Sequence, residues 1–178
     1  ASCTGASRVV NASCLRIIRS LSAECKLLTA KARELLKGDE LLNRRYQQLR
    51  TIKGIADTSA LAILSEIALF PEDISTAQAV ELAGLDPRAK ESGTSVRGSR
   101  QISRHGIASL RAALFFPALT AVRRQPNIKA YYESVIARTD CKMKALVAVM
   151  RRMLHAIIGM FKTNTAFDPE RFFAVAKR

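Results

Sequence analysis

The sequence has no tryptophan, only two histidines (His105 and His155), and four cysteines (Cys3, Cys14, Cys25 and Cys141) that form no closely spaced pair. Those shortages leave no recognisable zinc-ligand spacing. Cys3, Cys14 and Cys25 recur every eleven residues, which is three helical turns, so on a continuous helix they share one face as small, reduced, apolar fillers. Long apolar runs are missing as well. The longest, AALFFPALTAV, stops at Arg123 and Arg124, short of the roughly 20 residues that span a bilayer. No membrane crossing is expected. The chain opens on ASCTGAS instead of a methionine, without the charged and apolar layout of a signal peptide, and is read as a piece of something longer.

Acidic residues are scarce in one half only. Residues 1–87 carry 11 Lys+Arg against 10 Asp+Glu, whereas residues 88–178 carry 18 against 5, a net of +13 out of the chain's +14. The second half therefore has the composition of a polyanion binder. Nucleic acid is the favoured partner, because each neutralised phosphate releases a counterion. A membrane surface fits less well, since the cations are spread over a loop and several helices and do not line one amphipathic face.

At 178 residues and 48% hydrophobic, the chain is long enough to bury a core. Its periodicity is helical nearly throughout. Val10, Cys14, Ile17, Leu21, Cys25, Leu28, Ala32 and Leu35 recur at spacings of three and four with no Pro or Gly between them, which predicts a long amphipathic helix with a single seam. That seam suits a coiled coil, paired either with the helix of ELLNRRYQQLRTI that follows or with another subunit. The next helix is expected to end at Lys53. Gly54 then makes the turn, and Asp57 or Thr58 caps a new helix. STAQAVELAG has Ser75 and Gln78 in capping-box spacing and closes at Gly84. Helices are expected over about 107–124, with a kink at Pro117, over about 127–137 and over about 142–161. The tail AFDPERFFAVAKR is expected to pack loosely. Met143, Met150, Met153 and Met160 read as a core stripe, as do Phe115, Phe116, Phe161, Phe172 and Phe173. His155 reads as a helix residue without a catalytic task, and no aromatic platform is spaced for base stacking.

The fold class is thus all-α: a coiled-coil-like helix over 1–48, a compact helical domain over 49–162 with a helix-hairpin-helix-like turn and a long basic loop, and a tail over 163–178. Two groups of residues suit chemistry on phosphates. Lys53 and Gly54 begin a KGI turn whose backbone amides and following helix N-terminus suit a phosphate oxygen. Ala56 stands where such hairpins usually have a second glycine, and an ordinary turn between packed helices is the competing reading. The second group is ESGTSVRGSRQISRHG, residues 91–106, with four serines, three glycines and three arginines. Arg97, Arg100 and Arg104, with Arg88 and Lys90 before them and Arg111 after, offer planar or point-charge partners for phosphate. A serine hydroxyl among them needs a base or a metal to become a nucleophile, and neither is supplied locally. From the residues alone, a loop that binds nucleic acid is favoured over one that cuts it.

LRTIKGIADTSALAILSEI, AGLDPRAKESGTSVRGSRQISRHGIASLRAALFFPA and KALVAVMRRMLHAIIGMFK, in that order from residue 49 to 162, resemble the C-terminal transposase domain of the Piv-type insertion-sequence recombinases. That group includes the pilin-gene invertase and the bridge-RNA-guided recombinases. The signature GLxPR, SG, RG, ISxxG and LRxAL is complete. The resemblance implies that Ser92, the serine of the SG pair, is the nucleophile that joins covalently to a DNA phosphodiester. It also implies an N-terminal RuvC-like domain whose acidic tetrad holds Mg²⁺, so this chain holds no cofactor of its own and is inert alone. DNA, a guide RNA and further copies of the chain, as dimer or tetramer, are the implied partners, in a bacterial cytoplasmic, nucleoid-associated setting. Of the neighbouring serines, Ser95, Ser99 and Ser103 are expected to bond phosphates or cap the next helix. A noncatalytic nucleic-acid-binding module and a helical oligomerisation domain remain the rival readings.

Overall fold

The computed structural model describes residues 2–88, 91–92, 96–97, 101–103 and 105–173. The chain divides into two compact units, residues 1–40 and 41–178. Among the described residues the fold is helical, with eight helices and four β segments of two residues each. None of these helices is long and apolar enough to cross a membrane.

The first unit is one helix, α1 (Ser2–Leu36), about 53 Å long at 1.5 Å per residue. The expected seam is present, and Val10, Ile17, Leu21, Leu28 and Leu35 on it are all exposed within this unit. The Cys14 and Cys25 thiols are exposed as well. The helix closes in a turn in which the Gly38 amide donates to Leu35 O.

The second unit is organised around α7 (Lys142–Thr163). Leu146, Val149, Met150, Met153, Leu154, Ile157, Ile158 and Met160 are buried along it, a broad apolar face set against the neighbouring helices. Four helices pack against α7: α4 (Thr76–Leu82), α5 (Ala108–Arg124), α6 (Pro126–Thr139) and α8 (Pro169–Phe172). On the far side of α5 lies α3 (Asp57–Ile67), and α2 (Glu40–Arg50) contributes Tyr46 and Leu49 to the core. Gln48 ties α2 to the end of α7, its Nε2 donating to Asn164 Oδ1 at 3.1 Å and to Thr165 O at 3.3 Å.

Several local expectations change in the structure. The N-cap of α3 is Ala56, which makes no side-chain cap bond; Asp57 stands inside the first turn, where its Oδ1 accepts from Tyr46 Oη at 2.8 Å and meets Arg50 Nε at 2.9 Å. The carboxylate is drawn to α2 and so does not cap its own helix. Phe116 is 67% exposed and Met143 57% exposed, so neither belongs to the core. Phe173, by contrast, is 1% exposed and meets the rings of Tyr131 and Phe167 edge-on. The tail is therefore docked through residue 173, and the Phe167 amide donates to Thr51 Oγ1 at 3.0 Å.

Candidate nucleic-acid interface

The basic stretch stands on a root built from the end of α4 and the start of α5. Gly84, at φ +62°, lets α4 close in a Schellman turn: the Gly84 amide donates to Glu81 O at 2.7 Å and the Leu85 amide to Val80 O at 3.0 Å. On the returning side, the Ile107 amide donates to Leu82 O at 2.8 Å. Gly106 lies so close to α4 that a Cβ there would stand 2.1 Å from Leu82 O. Arg111 completes the root by donating Nη1 to Ala83 O at 2.9 Å. Both ends of the stretch are thus stapled to the last turn of one helix.

From that root the long basic loop continues as an arm with short antiparallel pairings. Strand β1 (Pro87–Arg88) pairs with β4 (Gln101–Ile102), Pro87 opposite Ile102. Further out, β2 (Glu91–Ser92) pairs with β3 (Val96–Arg97), Ser92 opposite Val96. The register of the second pair differs from that of the first by one residue. At the base, the Ser103 amide donates to Asp86 O at 3.0 Å and its hydroxyl donates to Asp86 Oδ1. Ser103 therefore closes the arm, and it does not cap the next helix, whose N-cap is Ile107.

The sequence-derived residues fall into three groups. Ser92, Arg88 and Arg97 have backbones in the paired arm, with Ser92 in its outermost pair, opposite Val96. Lys90, Arg100 and Arg104, with Ser95 and Ser99, lie outside the described residues. Lys53, Gly54 and Arg111 belong to the helical body. Lys53 is exposed. Gly54 has φ +116° and lies against the Pro117–Ala121 step of α5, where a Cβ would stand 2.7 Å from Pro117 O and 3.0 Å from Ala121 N. The close backbone approach that a glycine permits is made here to a helix of the same unit. The turn is further held by Arg50, whose Nη1 donates to Ile55 O at 3.0 Å.

Beside the arm root the structure also gathers residues that sequence spacing kept apart. Leu85, Pro87 and Ile102 from the root, Phe115 from α5, Tyr131 from α6, and Lys144, Val147, Arg151, Arg152 and His155 from α7 line one groove. The Arg152 guanidinium lies 5.6 Å from the centre of the Tyr131 ring, within cation–π range. Burial holds the His155 imidazole below its usual pKa, and the neighbouring Arg151 and Arg152 charges lower it further. The one signal in the sequence was the i, i+4 and i, i+3 spacing of Lys144, Ala148, Arg151 and His155, which puts them on one face of α7.

Residues 46–133 match the family model described as Transposase IS116/IS110/IS902 family. The match contains the KGI turn, the whole arm and both helices of its root. The pilin gene-inverting protein of Moraxella bovis is 28% identical over 152 residues, covering 85% of this chain and 47% of that protein. The protein of the same name from Moraxella lacunata has the same identity and coverage. An uncharacterized 43.6 kDa protein of insertion element IS110 from Streptomyces coelicolor is 24% identical over 165 residues, 93% of this chain and 40% of that one. The chain spans less than half the length of each of these relatives. With the rooted arm and both helices of its root inside the match, residues 46–133 carry a domain of the IS116/IS110/IS902 transposase family.

Proposed function

We propose that this chain acts as part of a DNA transposase or site-specific recombinase in which Ser92 is the nucleophile. In that reaction the Ser92 hydroxyl gives up its proton, Oγ forms a bond to a DNA phosphorus, and the bond from that phosphorus to one sugar oxygen breaks. The departing sugar oxygen takes up a proton, and attack by a sugar hydroxyl of a second strand reverses the sequence and frees the serine. The phosphodiester energy is kept throughout. The observation that carries the reading is the family match over residues 46–133, which holds the SG pair inside a cationic arm rooted at both ends.

Among the described residues, no three His, Cys, Asp or Glu side chains come together to hold a metal ion. In this proposal the Mg²⁺ implied by the resemblance is held by an N-terminal RuvC-like domain, and the chemistry assigned to the present residues is binding, orientation and nucleophilic attack. DNA is the proposed substrate and a guide RNA a further partner. The exposed seam of α1 supports pairing with another copy as a coiled coil. A noncatalytic helix-hairpin-helix module is less well supported, because Gly54 is engaged in packing against α5.

The test is made in the full-length recombinase with target DNA and Mg²⁺. Ser92→Ala is expected to keep DNA affinity within about twofold while strand exchange falls by at least about 10³-fold, as for removal of an essential nucleophile. Trapped covalent DNA should map to Ser92. An adduct at another residue, or exchange that survives the substitution, sinks the assignment.

A further inference from the structure

The groove beside the arm root has a volume of about 880 Å³, within the roughly 300–1,000 Å³ typical of sites that enclose a compact ligand. Its floor is apolar and partly aromatic, made by Phe115, Tyr131 and Val147, while Lys144, Arg151 and Arg152 are its cations on α7, Arg152 lying over the Tyr131 ring. Among the described lining residues there is no Asp or Glu. His155 Nε2 is buried without a hydrogen-bond partner, although buried polar atoms are nearly always satisfied. A ligand that suits these walls is flat and apolar in one part, anionic in another, and carries hydrogen-bonding groups at the edge of its flat part.

We infer that this groove binds an unpaired nucleotide of a nucleic-acid strand, its base lodged against Phe115, Tyr131 and Val147 and its phosphate on Lys144 and Arg151. The inference rests on the reading that the chain handles nucleic acid and adds where and in what form the strand is held. Base stacking on aromatic side chains tolerates any sequence, and a base that has left its stack also exposes the edge that the His155 imidazole can meet. An acidic peptide would answer the cations but would leave the apolar floor without a flat partner. Burial and the two arginines favour neutral His155, so its imidazole enters as a hydrogen-bonding group and adds no further charge. The groove is also near the proposed chemistry: five residues of chain join Pro87 to Ser92, a reach of at most about 18 Å, or about five base-pair steps of duplex.

Three fluorescent probes distinguish the outcomes when titrated at moderate salt into the chain of residues 1–178: a short single strand, a perfect duplex, and the same duplex with one extrahelical base. The unpaired probes are expected to bind about tenfold more tightly than the perfect duplex, the scale of one base stacked. Val147→Asp should erase that preference. Lys144→Gln with Arg151→Gln should weaken every probe and flatten the salt dependence, while Lys162→Gln, an exposed change outside the groove, keeps the preference. In the wild-type protein the His155 imidazole signals should move with the unpaired probes, and its titration midpoint should rise as phosphate offsets the two arginines. This readout needs no substitution, so a variant that fails to fold leaves the inference open to refutation. Equal affinity for all three probes with unmoved His155 signals overturns the groove assignment while the nucleic-acid reading stands. No binding of any probe at moderate salt overturns both. If a glutamate-rich peptide moves the His155 signals and the oligonucleotides do not, the groove belongs to a protein partner and the inference fails.

Discussion

Gly54→Ala separates a packing role from a phosphate-binding role at the KGI turn. The new Cβ would lie 2.7 Å from Pro117 O and 3.0 Å from Ala121 N. Both are backbone atoms of a helix in the core, with no flexible side chain to yield. Overpacking of this kind costs about 1–3 kcal/mol. The residue must also hold φ +116°, where an L side chain adds about 1–2 kcal/mol. The reduced freedom of the unfolded chain returns about 0.4–1 kcal/mol. The net expectation is a loss of roughly 2–4 kcal/mol, and at about 2–4 °C per kcal/mol for a chain of this size the Tm falls by roughly 5–15 °C. Urea and thermal unfolding of the wild type and variant measure this directly, with oligonucleotide affinity measured well below the transition. The reasoning is refuted if stability changes by less than about 0.5 kcal/mol while affinity drops severalfold, because Gly54 would then face a phosphate and not α5.

Two further expectations follow from the geometry. Phe173→Ala removes a ring buried against Tyr131 and Phe167 and should cost about 3–5 kcal/mol in urea unfolding; a near-neutral result would mean that the tail is not docked. His155 makes stability depend on pH. Its pKa is lowered from 6.5 in the folded chain, first by burial and then by Arg151 and Arg152, so the unfolded chain binds the proton more readily. Its contribution is complete above about pH 6.5, shrinks as pH falls from there toward the folded value, and levels off below it. His155→Gln should remove that step from a stability-against-pH series, and an unchanged step would assign it to another group.

The elements most legible in the sequence were those whose signal is local and repeated. The capping box of α4 forms as spaced, with Gln78 N donating to Ser75 Oγ and Ser75 N to Gln78 Oε1, and the apolar periodicity of α7 marks a helix that is buried as expected. The arm was less legible, because two-residue ladders are too short to show the alternation that betrays a strand. Aromatic burial also resisted local reading. Phe116 and Phe173 both sit in apolar company along the chain, yet one is exposed and the other enclosed, and the difference arises from which helix comes to lie over each. The groove was invisible for the same reason: Phe115, Tyr131 and His155 belong to three different helices. No aromatic platform was expected from spacing, yet two rings face one trough. At the α3 N-terminus, Asp57 is a good capping residue by type, but Arg50 and Tyr46 compete for its carboxylate and prevail.

The packing of α7 has a consequence for how the protein is made. A ribosome releases α4, α5 and α6 before the helix that covers their apolar faces, so these segments must wait with greasy surfaces bare until residue 163 has emerged. A chaperone that shields such surfaces would find its clients here, and stalling before residue 142 should yield a protease-sensitive nascent chain. The segment 46–133 that matches the family model stops short of α7, the helix on which α4, α5 and α6 bury their apolar faces.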